Sequence, residues 1–294
     1  MCASAAVLLG GCNMDVLSPK GAVGMHERTL ILVALGLMCV VVVPTIVLTL
    51  VFAWRYRASN TKATYAPKWS HSTAIEVVMW AIPCVIIVIL GAITWTSTHE
   101  LDPYRPLESS VKPVTIEAVA LDWKWLFIYP DYGVASVNQI AFPEGTPVDF
   151  KITSGTVMNA FFIPQLGSQV YAMSGMQTQV HLIANEKGSY DGFSSNFSGP
   201  GFADMHFTAL ATSQKGFEAW IAKAKASAGT LDVNAYQSLL MPSRKVPVSF
   251  YGTVSPNMFG YIIKHPATNG APAASAAPSV AAVPSHSTHA QAAE

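Results

Sequence analysis

Few side chains in this sequence have both the type and the spacing to do chemistry, and the cysteines narrow the field most. They stand at Cys2, Cys12, Cys39 and Cys84, so the chain beyond Cys84 has neither a disulfide nor a thiolate to offer a metal. Glu76 is the ionisable group with the most unusual setting, at the head of a long apolar run, where a carboxylate is costly and often functional. Thr73-Ala74-Ile75-Glu76 also reads as a capping box, with Glu76 reaching back to the Thr73 N–H. His181 alternates within a strand-like stretch and His206 begins another, positions that suit hydrogen-bonded structural histidines. Met173, Met176 and Met205 read as core or interface fillers. No Ser-His-Asp set and no paired carboxylates stand out, and Lys151 to Thr156 has a glycine without the Lys-Ser/Thr of a phosphate loop.

The elements that must position these residues fall into two kinds. Hydrophobic residues make up 51% of the chain and charged ones only 12%, far from the roughly 25% charged of a soluble protein, which points to a membrane. The formal net charge is zero, so nothing suggests a nucleic-acid partner. Thr29 to Trp54 and Val77 to Thr98 carry no charge. Each exceeds the ~20 residues that cross a bilayer as a helix, and Pro44 and Pro83 are tolerated there. Trp54, Trp80 and Trp95 sit toward the ends, where aromatic belts form. The loop between holds Arg55, Arg57, Lys62 and Lys68, which by the positive-inside rule makes it cytoplasmic and puts both termini outside.

At the start, Ala3 to Gly11 is apolar and ends Leu9-Gly10-Gly11 before Cys12, as in a secretory signal. The pattern resembles a bacterial lipoprotein signal, in which Cys12 becomes the lipidated first residue. The basic stretch that such signals need is missing, so the true start codon is expected upstream. Acyl chains such as palmitate would add ~0.8 kcal/mol of membrane affinity per buried methylene. An outside Cys12 and the charged inner loop give the same orientation by independent routes.

Beyond Pro113 the period shortens to alternation. Val114, Ile116, Ala118 and Ala120 share a face, and turns recur at Pro130-Asp131, Pro143-Glu144-Gly145 and Lys187-Gly188. Strand-like stretches at Pro147 to Thr153, Thr178 to Ala184 and His206 to Ala211 predict an antiparallel sandwich or barrel. Lys215 to Ala228 reads as an amphipathic helix with Phe217, Trp220, Ile221 and Ala224 inward, and Val233 to Leu240 as another short one. The expected organisation is 1–11 signal, 12–28 tether, 29–54 first span, 55–72 cytoplasmic loop, 73–98 second span, 105–214 β domain, 215–265 C-terminal helical, aromatic-containing region, and 266–294 tail. The tail is rich in Ala, Pro, Ser and His, including His286 and His289, with too little bulk to bury.

Leu121-Asp122-Trp123-Lys124-Trp125-Leu126-Phe127, Val157 to Gly167 and Met176 to Met205, with Tyr190-Asp191-Gly192 and Ser198-Gly199-Pro200-Gly201 inside it, resemble subunit II of the haem-copper respiratory oxidases. The resemblance runs from Cys12 to about His265. It implies a hairpin of two transmembrane helices followed by a periplasmic cupredoxin-like β domain and a short C-terminal helical region. In the cytochrome c oxidase branch that domain holds two coppers on two His, two Cys, a Met and a Glu carbonyl, with soft thiolates as bridges. Here the first His position is Asn159, the Cys positions are Ser194 and Ser198, the Glu position is Asn196 and the second His position is Phe202. Only Met205 is retained, so the resemblance implies no metal and no cofactor on this chain.

That departure is similar to the cytochrome bo-type ubiquinol oxidases, whose electrons arrive within the membrane and need no copper entry point and no cytochrome c. The implied setting is the bacterial inner membrane, beside subunit I carrying the haems and the catalytic copper, with subunits III and IV. A Glu matching Glu76 lies at a proton-uptake entrance in that family, so proton uptake and helix capping both stay open for it. Trp123 and Trp125 read as core or interface packing. The alternatives are a free-standing periplasmic lipoprotein with a degenerate cupredoxin domain in envelope or oxidase assembly, and subunit II of a menaquinol oxidase.

Overall fold

The computed structural model describes residues 14–267 apart from Tyr65, Pro67 and Glu108. Two long helices, α1 (Ala22–Arg55) and α2 (Thr73–Glu100), pack side by side and run unbroken through Pro44 and Pro83. Past Val23, which is buried at the start of α1, their apolar side chains are largely bare: none in α2 is buried, and Trp80 keeps 75% of its surface. Both are long and apolar enough to cross a membrane.

The β domain is built from β1 (Val114–Leu121), β2 (Lys124–Tyr129), β3 (Val134–Val137), β4 (Gln139–Pro143), β5 (Val148–Ser154), β6 (Asn159–Phe162), β7 (Val170–Ala172), β8 (Thr178–Leu182), β9 (Gly188–Ser194) and β10 (His206–Thr212). After these come α3 (Gln214–Lys225), β11 (Thr230–Leu231), α4 (Val233–Leu240), β12 (Ser249–Tyr251), β13 (Thr253–Val254) and α5 (Met258–Lys264). One sheet has the order β12-β3-β2-β1-β5-β8, the facing sheet β4-β10-β9-β6-β7, and β11 pairs with β13.

The sheets are mixed rather than antiparallel, which corrects the expectation drawn from alternation. β5 lies parallel to β1, and β10 parallel to β4. The chain leaves the first sheet after β3, passes through β4 in the second, and returns beside β1 in the same sense. Alternation reports which face is buried, and it is blind to strand direction.

The β1 side chains show why the domain has two cores. Ile116, Ala118 and Ala120 face the inter-sheet core with Trp125, Phe127, Phe150, Phe161 and Phe207. Those rings interlock: Phe161 stacks on Phe207 at 5.2 Å and meets Trp125 edge-on at 5.4 Å. Val119 and Leu121 point the other way, yet they are buried too, under Leu231, Tyr236, Met258, Phe259 and Ile262 from the C-terminal region. That region therefore acts as a third layer on the outer face of the first sheet. α3 starts at a Ser213 cap, whose Oγ accepts from the Gly216 N–H at 3.2 Å, and Asp232 caps α4 through the Ala235 N–H at 2.8 Å.

The start of α1 is fastened to the β domain. The Lys20 and Gly21 N–H groups donate to the Gln165 carbonyl at 2.7 and 3.0 Å, and the Gly24 N–H to Leu166 at 3.1 Å. Asn185 N–H donates to the Lys20 carbonyl at 2.8 Å, and Lys20 pairs with Glu186 at 2.7 Å. Gly21 is obligatory here, because a Cβ would lie 2.4 Å from the Leu166 oxygen. This seat explains why α1 begins at Ala22, ahead of the uncharged run.

Candidate functional site

The loop that closes between β9 and β10 is where the sequence reading places its site. β6 delivers Asn159, the end of β9 delivers Ser194, and a tight turn over Phe202–Asp204 leads into β10. Asn159, Ser194 and Asn196 come together. The Ser194 hydroxyl lies 3.1 Å from Asn159 Oδ1 and 3.3 Å from the Asn196 carbonyl, and it accepts from the Ala160 N–H at 3.3 Å. Asn159 Nδ2 donates to the Val157 carbonyl at 3.0 Å and Asn196 Nδ2 to Met158 at 3.1 Å. Asn159 and Ser194 are buried, as is Met205, whose carbonyl accepts from the Ser194 N–H. The network consists of hydroxyl and amides only, and their polar atoms are turned on one another.

Ser198 and Phe202 stand apart from it. The Ser198 carbonyl accepts from the Trp123 indole N–H at 3.1 Å, and its hydroxyl is buried without a partner among the described residues. Phe202 packs against the exposed Phe197 at 5.6 Å. Trp123 itself holds a left-handed backbone, φ 67°. Its ring lies so close over Gly201 that a Cβ there would come within 2.3 Å. Trp125, by contrast, is wholly inside the inter-sheet core.

Lys124, between these tryptophans, is a residue that sequence reasoning passed over. It is only 2% exposed. All three of its ammonium donors are used, on the Asp122 carbonyl at 3.0 Å, the Met241 carbonyl at 2.9 Å and Ser243 Oγ at 2.6 Å. Burial holds its pKa below the usual lysine range, with the Asp122 carboxylate opposing. Asn138, at φ 58°, repeats the pattern by accepting from the Trp125 N–H and donating to Val246. Arg244 bonds Asp204 and the Pro200 carbonyl. The segment from Met241 to Val246 is thus a strap across the β9–β10 loop. A lysine set between two strand tryptophans was the one local signal for it.

At the opposite end of the spans, Glu76 is exposed on the first turn of α2. The capping-box expectation is corrected: Ser72 is the N-cap, so Glu76 falls at the fourth helical position and Ile75 at the third. A reach-back bond needs the third position, and Ser72 makes no side-chain cap either. Among the described residues no partner lies within bonding distance of the Glu76 carboxylate.

His181 Nδ1 lies 2.6 Å from Asp149 Oδ1, and His206 is exposed with its ring 3.0 Å from the Ala203 carbonyl. Met173 is half-buried and Met176 exposed. Cys12, the signal over 1–11, and His286 and His289 of the tail lie outside the described residues.

Comparison with known proteins fits this geometry. Residues 133–211 match the family model "Cytochrome C oxidase subunit II, periplasmic domain", and 225–265 match "COX Aromatic Rich Motif". The second match covers the layer that packs on the outer face of the first sheet. The "Cytochrome bo(3) ubiquinol oxidase subunit 2" of Pseudomonas aeruginosa is 62% identical over 88% of this chain and 78% of its own length. "Ubiquinol oxidase subunit 2" of Acetobacter aceti is 55% identical over 88% and 85% respectively. "Quinol oxidase subunit 2" of Bacillus subtilis is 35% identical over 84% and 78%. By these likenesses the chain belongs to the subunit II family of the haem-copper oxidases, among its ubiquinol oxidase subunits 2.

Proposed function

We propose that this chain is the subunit of a proton-translocating ubiquinol oxidase that carries no redox centre of its own. The observation behind this is the donor set at the β9–β10 loop. A copper pair needs soft thiolate bridges and imidazoles, whereas the loop offers hydroxyls at Ser194 and Ser198, amides at Asn159 and Asn196, a phenyl at Phe202 and one thioether at Met205. A serine hydroxyl does not ionise near neutral pH, and Phe202 has no lone pair. These residues do not fit the group, and no electron step runs through them. Quinol oxidation and the reduction of O2 to water then belong to a partner, subunit I, whose haems and copper do the chemistry.

The chain's contribution is to brace that partner with α1 and α2 and to cover its outer face with the sandwich. Subunits III and IV complete the complex in the inner membrane. Cys12 carries the lipid anchor, both termini are periplasmic, and Glu76 stands at a proton-uptake entrance on the cytoplasmic side. Support for the last point is its carboxylate at the head of an apolar helix, unbonded among the described residues. The higher identity to the ubiquinol enzymes than to the Bacillus quinol enzyme favours ubiquinol over another quinone.

The test is the purified complex. Its optical and electron-spin spectra should lack a dinuclear mixed-valence copper signal, and finding one overturns the reading. Glu76→Gln should slow turnover with pigment content unchanged; full turnover removes the proton role.

A further inference from the structure

At the end of the helix pair away from the β domain, α1 and α2 part to leave a groove of about 850 Å³. Leu48 and Phe52 of α1 and Ile75, Val78 and Met79 of α2 line it, with Trp69 of the connecting loop. Phe52 and Trp69 also line a second hollow, of about 690 Å³, which carries the groove on to Tyr56. Thr45 and Thr49 are the polar residues of the groove wall, but each hydroxyl already donates to a carbonyl of its own helix, Val41 and Thr45, at 2.7 Å. The wall therefore has no free hydroxyl hydrogen for a polar ring, and it suits a hydrocarbon chain.

Depth and charge say what kind of molecule that chain belongs to. No residue of α1 before Thr45 lines either hollow. From Thr45 to Tyr56 a helix rises about 16 Å, close to half of a ~30 Å hydrocarbon core. A partner helix that crosses the bilayer needs a channel along its whole depth, whereas an acyl chain needs one leaflet. The loop at the groove's end holds Arg55, Arg57, Lys62 and Lys68, and no acid before Glu76. Arg57 is already committed: it donates to Ser59 Oγ at 3.0 Å and the Trp54 carbonyl at 3.1 Å, and lies over the Trp54 ring. Arg55, Lys62 and Lys68 are exposed, and their side chains have no partner among the described residues. Arg55 is next in sequence to Tyr56 and Lys68 to Trp69, so both adjoin the lining, while Glu76 is not part of it.

We propose that this groove binds one anionic phospholipid of the phosphatidylglycerol class, in the leaflet on the loop's side of the membrane. One acyl chain fills the space between Phe52, Val78 and Met79, and the phosphate is held by Arg55 and Lys68 through charge-assisted hydrogen bonds. Basic pockets between spans on the cytoplasmic side suit anionic headgroups. A phosphatidylethanolamine or choline head would instead bring a further cation into a cluster that has no acid to receive it. The inner leaflet follows from the orientation proposed above, on which this inference rests.

The experiment uses the intact detergent-solubilised complex, delipidated by repeated exchange, with retained lipids counted per complex by mass spectrometry. Two variants probe the two ends: the pair Arg55→Gln with Lys68→Gln at the headgroup, and Ala74→Trp in the groove wall. At a fixed amount of added phosphatidylglycerol, the wild-type complex should retain one molecule that each variant loses, with retention falling about tenfold, the scale of two basic residues at a charged surface. Added salt should weaken retention in the wild type more than in the paired variant. Haem spectra and subunit content report assembly separately. If Ala74→Trp fails to assemble, the paired variant, which changes only exposed side chains, decides alone. Wild-type retention of phosphatidylglycerol by the paired variant overturns the proposal, as does equal retention of phosphatidylethanolamine or a quinone as the molecule lost. Thr61→Cys tests the orientation by itself: a membrane-impermeant maleimide should label it in inverted vesicles only, and labelling from the periplasmic side overturns the orientation and the leaflet with it.

Discussion

The β9–β10 loop and the mouth of α2 are the two places where this chain could handle charge, and they are built in opposite ways. At the loop, the polar groups are mostly turned inward on one another, Ser194 on Asn159, Asn196 on Met158, Lys124 on Met241 and Ser243, with the Ser198 hydroxyl the exception. At the mouth of α2, Glu76 stands with no partner among the described residues, on a helix whose sides are bare. Within a buried region, unpaired polar groups are expensive, so a copper-free loop has to consume its own hydrogen bonds. A carboxylate that must exchange protons with water gains from having no such commitment. The contrast separates a region stabilised by its own bonds from one left open to a partner.

The sharpest way to break that contrast is in the aromatic core beneath the loop. Phe161→Ala removes a ring in contact with Trp125, Phe150 and Phe207 and should cost about 3–5 kcal/mol. The check is thermal unfolding of the β domain within the solubilised complex. Val88→Ala, on the bare side of α2, should change the same transition by no more than about 0.5 kcal/mol. Next comes the strap. Lys124→Ala strands two carbonyls and a hydroxyl, and should cost about 2 kcal/mol or more, with faster proteolytic cleavage near Met241 as the local sign.

A smaller effect is expected at the seat of α1. Gly21→Ala should cost about 1–3 kcal/mol by overpacking and raise hydrogen exchange at Gly24 and Asn185, without altering the strap. The smallest is a pH drift. Burial raises the Glu117 carboxyl to about 6, with Lys151 opposing. A folded-state pKa above the unfolded one makes the folded form bind the proton more tightly. Stability is therefore fullest below about 4.5 and is lost as pH rises through about 6. Because the group is partly exposed, the drift should stay under about 1 kcal/mol, and Glu117→Gln should flatten it in unfolding curves taken across that range.

How much of this was legible beforehand depended on the distance over which each feature is decided. Phe217, Trp220, Ile221 and Ala224 were readable as one buried face, because helical spacing is local and the same four residues face the core. The donor types at Asn159, Ser194, Ser198 and Phe202 were readable directly, because residue type alone decides what can hold copper. Lys124 was not, since two of its three acceptors come from residues 117 and 119 positions away. Parallel pairing of β1 with β5 was hidden for the same reason. The capping box failed on a shift of one residue at the helix start, the scale on which helix boundaries are least readable from sequence. The outer burial of Val119 and Leu121 was invisible until the C-terminal layer was in place.

The seat at Lys20 and Gly21 has a consequence for how the molecule is made. Asn185 and Glu186 are synthesised long after Lys20, and they can clasp it only if the chain has crossed the bilayer an even number of times between them. A nascent chain with one span left uninserted would strand the two halves of the clasp on opposite sides. Closure of these few bonds is thus a built-in check of insertion, completed only by a chain threaded with the right parity.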